Sequence, residues 1–104
     1  MNEIVVLAGA DTDMLRKYVE LDEHSSELAD RFESDLQDAF GLISRHPLIG
    51  FGHLVPPYRK WSLRGWNMAI FYQPAGNRCF IHAVLDMRQN PQSIRSILRS
   101  RTHP

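Results

Sequence analysis

The sequence predicts a single α+β domain, in which an N-terminal strand and a helical hairpin precede an antiparallel β-meander and a short C-terminal helix (β-α-α-β-β-β-α). Through residues 10–46 the apolar positions recur every three or four residues, which is the period of an amphipathic helix. After residue 57 the period falls to two, with aromatic and β-branched residues in short runs that are typical of strands. The 104 residues, 43% of them hydrophobic, suit one domain over residues 1–104 with a single core.

The first half of the chain predicts one strand and two helices. The largely apolar run Glu3–Ala8 indicates a strand that is buried on both faces. The acids of Asp11–Asp13 can cap a first helix, which we expect over Asp11–Glu23. A second helix begins at Ser25–Ser26 and ends before Pro47. Its apolar stripe is the strongest periodic signal in the chain and comprises Leu28, Ala29, Phe32, Leu36, Ala39, Phe40 and Ile43.

The second half predicts a three-stranded meander and a terminal helix. The strands are expected near Tyr58–Leu63, Trp66–Gln73 and Arg78–Met87, after a loop over Pro47–Pro57 that is rich in Gly and Pro. Because the connections between these strands are short turns, we expect hairpins and antiparallel pairing. Helical spacing of the apolar residues in Gln92–Arg101 predicts the terminal helix.

One face of the meander is expected to bury the helical hairpin, while the other face stays partly open. Alternation along the last strand assigns its more apolar set to the core and leaves His82, Asp86 and Arg88 on the open face. Of the two tryptophans, Trp66 is expected against the hairpin and Trp61 is expected to be partly exposed. The predicted core set of the last strand is Cys79, Ile81, Ala83 and Leu85.

The charges are segregated by half. Residues 1–50 hold eleven acids and four bases, for a net charge of −7, whereas residues 51–104 hold one acid and eight bases, for a net charge of +7. The overall charge of zero therefore conceals a dipolar molecule. Its positive half is expected to attract an anionic partner, either nucleic acid or an acidic polypeptide.

Several classes of site lack their residues in this sequence. The single cysteine, Cys79, excludes an internal disulfide and suits a reducing compartment, so we expect a cytoplasmic protein. No run approaches the roughly 20 apolar residues that a membrane span requires. The five histidines lack the spacing of zinc ligands, and neither a metal nor a cofactor is predicted. These histidines are His24, His46, His53, His82 and His103.

Five segments, by their order and spacing, carry a family resemblance that spans nearly the whole chain. They are Ala10-x-x-Asp13-Met14, Ala29-x-x-Phe32-x-x-x-Leu36-x-x-Ala39-Phe40, His46-Pro47-x-x-Gly50, Ile70-Phe71-Tyr72 and Val84-Leu85-Asp86-Met87-Arg88-Gln89-Asn90-Pro91. The sequence resembles the ParE branch of the RelE/ParE superfamily, the plasmid stabilisation system proteins. The resemblance implies the RelE/ParE fold and a toxin of a type II toxin–antitoxin system that a cognate antitoxin neutralises. For ParE-type members the implied target is DNA gyrase, and for RelE-type relatives it is messenger RNA in the ribosome.

Two positions favour the ParE branch. The ribonucleases of the superfamily resemble strongly basic proteins in which a base, cations and an acid act on the RNA. Where many family members have a histidine after the Val-Leu pair of the last strand, this sequence has Asp86, and where the ribonucleases often have an arginine it has Gln73. We therefore expect a toxin that binds gyrase directly and has no catalytic residue. A ribosome-dependent endoribonuclease and an inactive, antitoxin-binding module are the alternatives.

The candidate site residues follow from these alternatives. A ribonuclease would use Arg59, Arg64, Tyr72 and Arg88. A binding protein would instead present the basic and aromatic side chains of the second half as a docking surface for an acidic antitoxin segment. The expected partner-binding residues are Arg59, Trp61, Arg64, His82, Arg88, Arg95 and Arg99.

Overall fold

The computed structural model describes residues 1–52 and 57–101, and its elements follow the predicted order, which confirms the α+β fold class. His53 and His103, weighed above as metal ligands, lie outside the described residues. The elements are β1 (Glu3–Val6), α1 (Ala8–Asp22), α2 (Ser26–Arg45), β2 (Phe51–Gly52), β3 (Arg59–Leu63), β4 (Met68–Ala75), β5 (Arg78–Asp86) and α3 (Pro91–Ser100). One sheet contains all five strands in the order β1-β5-β4-β3-β2.

Helix α2 forms as its sequence predicts. The Ser25 hydroxyl accepts a hydrogen bond from the backbone N–H of Leu28 at 3.2 Å, which caps the helix, and Pro47 follows its end. Six of the seven residues in its apolar stripe are buried against the sheet. Because a stripe of this period lies on one side of a helix, α2 supplies much of the core on this face.

Helix α1 begins earlier than the sequence suggests. It starts at Ala8, and its cap residue Leu7 makes no side-chain hydrogen bond to the helix end, so the expected cap at Asp11–Asp13 is wrong. Asp11 lies within the first turn, where its charge still suits the helix dipole. Asp13 points inward and is 5% exposed.

Strand β1 is an edge strand. It pairs only with β5, in parallel, with Ile4 opposite Cys79. Glu3 and Val6 are exposed, so the expectation of a strand buried on both faces is wrong. The apolar character of the run reflects one-sided packing, in which Ile4 contacts the core beneath the helices.

The predicted loop over Pro47–Pro57 contains a short strand of its own. In β2, Phe51 pairs with Lys60 and Gly52 pairs with Arg59, which extends the antiparallel sheet past β3. Two described residues pair here, which is too short a run to show the alternation by which a strand is recognised. Phe51 is 76% exposed.

A β-bulge in β5 overturns the predicted facing of its second half. Phe71 pairs with Ala83 and Tyr72 pairs with Ile81, which leaves His82 as an extra residue. A bulge places two consecutive residues on nearly the same side and shifts the alternation by one. Cys79 and Ile81 therefore pack beneath the helical hairpin as expected, whereas Ala83 and Leu85 pack on the opposite face.

That opposite face is not open, because α3 covers it. Ile94 and Leu98 are 4% and 0% exposed and pack on the sheet in a second apolar cluster. The predicted helix itself is confirmed, with Pro91 in its first turn and the side chain of Asn90 accepting a hydrogen bond from the Gln92 N–H at 2.7 Å. The remaining members of the cluster are Tyr58, Ala69, Phe71, Ala83 and Leu85.

Candidate partner-binding surface

A strip of partly exposed side chains lies on the α3 side of the sheet. Lys60 is paired with Phe71, and Gln73 is paired with Phe80; paired residues share a face, and Phe71 belongs to the cluster under α3. Lys60, Gln73 and Phe80 therefore point to that side, and each is partly exposed.

Helix α3 adds two arginines to this side. Ile97 and Arg101 line a cleft against α1, on one flank of the helix. At 100° per residue, Arg95 and Arg99 lie on the other flank of the helix. We call Lys60, Gln73, Phe80, Arg95 and Arg99 the basic strip.

The electrostatic field of the strip opposes that of the hairpin. Its three charged members are all basic, and α3 has no acid in its first turn. Nine of the twelve acids lie in α1 and α2, on the other side of the sheet. The charge segregation of the sequence is therefore kept in part in the fold, with most acids on the hairpin side and a basic strip on the α3 side.

His82 lies beneath α3 and contributes packing there. Its ring meets that of Tyr58 edge to face at 4.8 Å, and Nδ1 lies 3.4 Å from the Tyr58 hydroxyl. Nε2 is buried and has no hydrogen-bond partner among the described residues. Burial lowers the pKa of the His82 imidazole below its usual value. Arg101 has two smaller effects on this pKa, which are of opposite sign to each other.

Arg59 and Tyr72 hold the segment that follows α2. Arg59 Nη1 donates to the carbonyl oxygen of Gly50 at 2.8 Å and to that of Leu48 at 3.3 Å. The Tyr72 hydroxyl accepts from the Gly50 N–H and donates to the Pro47 carbonyl, both at 2.9 Å. Tyr72 is fully buried, and that burial raises the pKa of its phenol.

Trp61 and Arg64 lie on the hairpin side, with Trp66. Both tryptophans pack against the core beneath α1 and α2, and both remain partly exposed, so the expected burial of Trp66 is incomplete. Arg64 is exposed in the turn after β3.

Arg88 lies beyond β5, near α1. Its Nη2 donates to Asp86 Oδ2 at 2.6 Å and its Nε donates to Oδ1 at 3.1 Å. These hydrogen bonds lower the pKa of the Asp86 carboxyl to about 2. The charges of Lys17 and Glu20 on α1 also act on this pair, which places it on the hairpin side of the sheet and not on the expected open face.

Of the four residues of the ribonuclease hypothesis, Arg59 and Tyr72 are paired across β3 and β4, whereas Arg64 and Arg88 do not join them. Tyr72 is enclosed, Arg59 binds backbone carbonyls, Arg64 lies in a turn and Arg88 is paired near α1. Of the expected partner-binding residues, Arg95 and Arg99 lie on the basic strip. Within residues 1–52 and 57–101, no group of three or more His, Cys, Asp or Glu side chains is placed to hold a metal ion.

The sequence from β1 to the start of α3 carries a family match. The family described as the ParE toxin of the type II toxin–antitoxin system, parDE, matches residues 4–91. The chain belongs to this ParE toxin family. The match includes both helices of the hairpin and, except for Glu3, the strands of the sheet, and it ends where α3 begins.

A solved structure shares the ParE fold seen here. A chain of the structure titled "Chromosomal ParDE TA system from P. aeruginosa" superposes with a TM-score of 0.61 at 16% sequence identity, covering 81% of this chain and 94% of that chain. No curated protein matches the sequence. Among the described residues of this ParE family member, no helix combines the length and apolarity that a membrane crossing requires.

Sequence reasoning missed one buried ion pair in this ParE family member. Asp13 accepts hydrogen bonds from the Arg101 guanidinium, at 2.9 Å for Nη2, and from the Val84 N–H at 3.0 Å. Arg101 Nη1 also donates to the His82 carbonyl at 3.0 Å. The sequence did contain an indication of this ion pair, because Asp13 lies on the same, buried side of α1 as Ala10. An acid on the apolar side of a helix is expected to have a partner.

Proposed function

We propose that this ParE family member is the toxin of a type II toxin–antitoxin system, that it inhibits DNA gyrase by direct binding, and that a cognate antitoxin neutralises it. The family match over residues 4–91 carries the proposal. Gyrase acts on DNA inside the cell, so the proposed place of action is the cytoplasm, where the single cysteine, Cys79, stays reduced.

The proposed antitoxin site is the basic strip. An acidic, extended segment laid along the sheet beside α3 would meet Lys60, Arg95 and Arg99, with Phe80 as an apolar contact. Such charge complementarity raises the association rate more than it raises the final affinity. The acidic hairpin on the opposite face would repel the same segment and so orient its approach.

The proposed mode of action is binding without catalysis. An RNA-cleaving site needs a base, an acid and cations around one phosphate. Arg64 and Arg88 lie apart from the Arg59–Tyr72 pair, and the Tyr72 hydroxyl is already engaged by Gly50 and Pro47. This dispersal favours gyrase over messenger RNA as the target.

One culture experiment tests the proposal. The chain is induced alone, and growth, trapped gyrase–DNA breaks and mRNA cleavage are measured in the same cells. Growth arrest with DNA breaks and intact mRNA is the expected result. Reproducible mRNA cuts would instead establish the endoribonuclease alternative, and harmless induction would establish an inactive, antitoxin-binding module.

Arg88→Ala tests whether that side chain contacts the target. Its ion pair with Asp86 is at the surface, with the arginine side chain 64% exposed, so its loss should have little effect on folding stability. We expect the variant to fold and to lose toxicity. Arg78→Ala is the matched control, because Arg78 is 57% exposed and pairs with Glu3 at 2.9 Å at the far end of β5. Full toxicity of Arg88→Ala would remove Arg88 from the target contact.

A further inference from the structure

A second recess lies on the hairpin side of the sheet, between α2 and the turn that joins β3 to β4. Its volume is about 330 Å³. We call it the tryptophan cleft. The side chains that give it its chemistry are Asp35, Asp38, Leu42, Trp61, Arg64 and Trp66.

The indole of Trp66 is fixed in this cleft by two contacts. Its Nε1 donates to Asp35 Oδ2 at 2.8 Å, and its ring meets that of Phe32 edge to face at 5.3 Å and 70°. Trp61 packs on the same core and also remains partly exposed. The cleft thus offers one immobilised indole and a second partly exposed one, and little rotamer entropy would be lost when a ligand stacks on them.

The carboxylates determine which ligand fits. Asp35 has one oxygen engaged by Trp66, and Asp38 follows it by three residues on α2, so both lie on one side of the helix. Asp38 has no hydrogen bond or ion pair within the described part of the chain, and the same holds for Arg64 at the rim of the cleft. Helix α2 carries five acids and two bases, so its field favours a cation.

We propose that the tryptophan cleft binds an arginine side chain of a protein partner. A guanidinium is planar and weakly hydrated, so it can stack on an indole while it donates two parallel hydrogen bonds to a carboxylate. An ammonium lacks the plane and the fork, and an anion would be repelled by Asp35 and Asp38. The cleft opens on the opposite side of the sheet from the basic strip. It is therefore a separate site, and the proposal does not depend on the identity of the toxin's target.

Tryptophan fluorescence tests this directly, because the chain has only two tryptophans and both line the cleft. The full chain is titrated with a capped hexa-arginine peptide, and hexa-lysine and hexa-glutamate are titrated in parallel. A saturable change with hexa-arginine is expected, about tenfold weaker for hexa-lysine and absent for hexa-glutamate. Equal responses to hexa-arginine and hexa-lysine, or no saturation, would overturn the proposal.

Two matched variants separate the cleft from general attraction to the acidic helix. Asp38→Asn and Glu27→Gln each remove one exposed negative charge from α2, and Glu27 lies in its first turn, outside the cleft. We expect Asp38→Asn to weaken hexa-arginine binding about fivefold and Glu27→Gln to change it less than twofold. Equal losses in the two variants would contradict a defined site. Removing the competing cation with Arg64→Gln should tighten binding, and weaker binding in that variant would also count against the proposal.

Discussion

Asp13 and Arg101 occupy the place where the next residues of β1 would lie. The ladder between β1 and β5 ends with the Leu7 N–H, which donates to the Ile81 carbonyl at 3.0 Å, because the chain turns into α1 at Ala8. The His82 carbonyl and the Val84 N–H further along β5 are then satisfied by the ion pair. A Cβ on Gly9 would lie 2.9 Å from Arg101 Nε, so the absence of a side chain there leaves room for the arginine.

Asp13→Asn should destabilise the fold by about 2–4 kcal/mol. Asp13 is 3% and Arg101 23% exposed at the side chain, and removing one partner leaves the other charge unpaired and largely desolvated. Urea unfolding measures the loss. Glu3→Gln, which breaks the pair with Arg78 in which both side chains are more than half exposed, should cost less than about 0.5 kcal/mol. If Asp13→Asn and Arg101→Gln prove strictly additive in the double variant, the two side chains are not coupled and this account of the β5 edge is wrong.

Tyr72→Phe should reduce stability by about 1–3 kcal/mol and leave toxicity intact. The hydroxyl is buried with two backbone partners, so its loss leaves the Gly50 N–H and the Pro47 carbonyl unsatisfied. Tyr18→Phe is the matched change, since the Tyr18 hydroxyl bonds Asp30 at 2.8 Å on the surface. Unfolding curves and growth on induction are compared for both variants. A stable but non-toxic Tyr72→Phe protein would point to a catalytic hydroxyl.

At the scale of elements, α3 is fastened to the sheet at its C-terminal end by polar contacts as well as by apolar ones. The Tyr58 hydroxyl donates to the Leu98 carbonyl at 3.1 Å, and Arg101 in the next turn binds Asp13. Tyr58 in turn rests against His82. The attachment of the helix therefore includes an imidazole whose pKa is lowered by burial.

Acid should loosen α3. The groups that face His82 are the Tyr58 hydroxyl and the Arg101 guanidinium, and within the described residues neither Tyr58 nor Arg101 offers an anion to an imidazolium. Since burial lowers the pKa of His82 in the folded protein, the unfolded chain binds the proton more readily. The associated stability is complete above the unfolded value of about 6.5 and is lost as pH falls below it.

Hydrogen exchange of the α3 amides at pH 7.5 and pH 5.5 measures this loosening. Faster exchange at the lower pH, after correction for the intrinsic rate, is the expected result. His82→Phe should flatten the dependence, whereas His24→Phe should not, because His24 is exposed between α1 and α2. An unchanged pH dependence in His82→Phe would exclude His82 as the responsible group.

An element could be predicted from the sequence when the residues that determine it lie close together in the chain. The α2 stripe, its serine cap and Pro47 lie next to one another in sequence, and that helix was predicted nearly to the residue. The facing of β5 was not, because a bulge at His82 shifts the alternation and α3 covers the second face. The bulge at His82 and the position of β1 depend on pairing with strands that are distant in the sequence. Neither feature can therefore be recognised from the neighbouring residues.

The residues of the candidate site likewise differ in how far the sequence could predict their positions. Arg95 and Arg99 were predicted from the charge and period of one helix, and the structure places them on the basic strip. Lys60 and Phe80 join them only through strand register, which the sequence leaves open. Arg59 and Tyr72 have suitable chemistry for a site, but their hydrogen bonds are used inside the molecule.

At the scale of the whole molecule, the two faces of the sheet are expected to select partners of opposite charge. Nine acids lie in the helical hairpin, and the basic strip lies on the other side. A net charge of zero lets the two fields coexist without the self-repulsion of a highly charged protein.

Association with the cognate antitoxin should depend on salt and on the basic strip. Lys60→Glu with Arg95→Glu should slow association about tenfold at low ionic strength, and 0.5 M salt should remove most of that difference, because screening then acts over a few ångströms. Stopped-flow mixing gives the rates. Arg31→Glu with Arg45→Glu, two exposed changes on α2, alters the net charge equally and should have much less effect. Equal slowing by both pairs would place the docking surface elsewhere.

The pairing of β1 with β5 and of Asp13 with Arg101 also has a consequence for synthesis. Asp13 and Arg101 are 88 residues apart in the sequence, so this ion pair must wait until nearly all of the described chain has left the ribosome. Contacts between such distant residues slow folding, whereas the local contacts of α1 and α2 form as soon as those helices emerge. The newly made hairpin therefore exposes its apolar stripe before the sheet arrives to cover it. Any partner that recognises the hairpin's inner side has its opportunity during translation, and loses it once the sheet packs against α2.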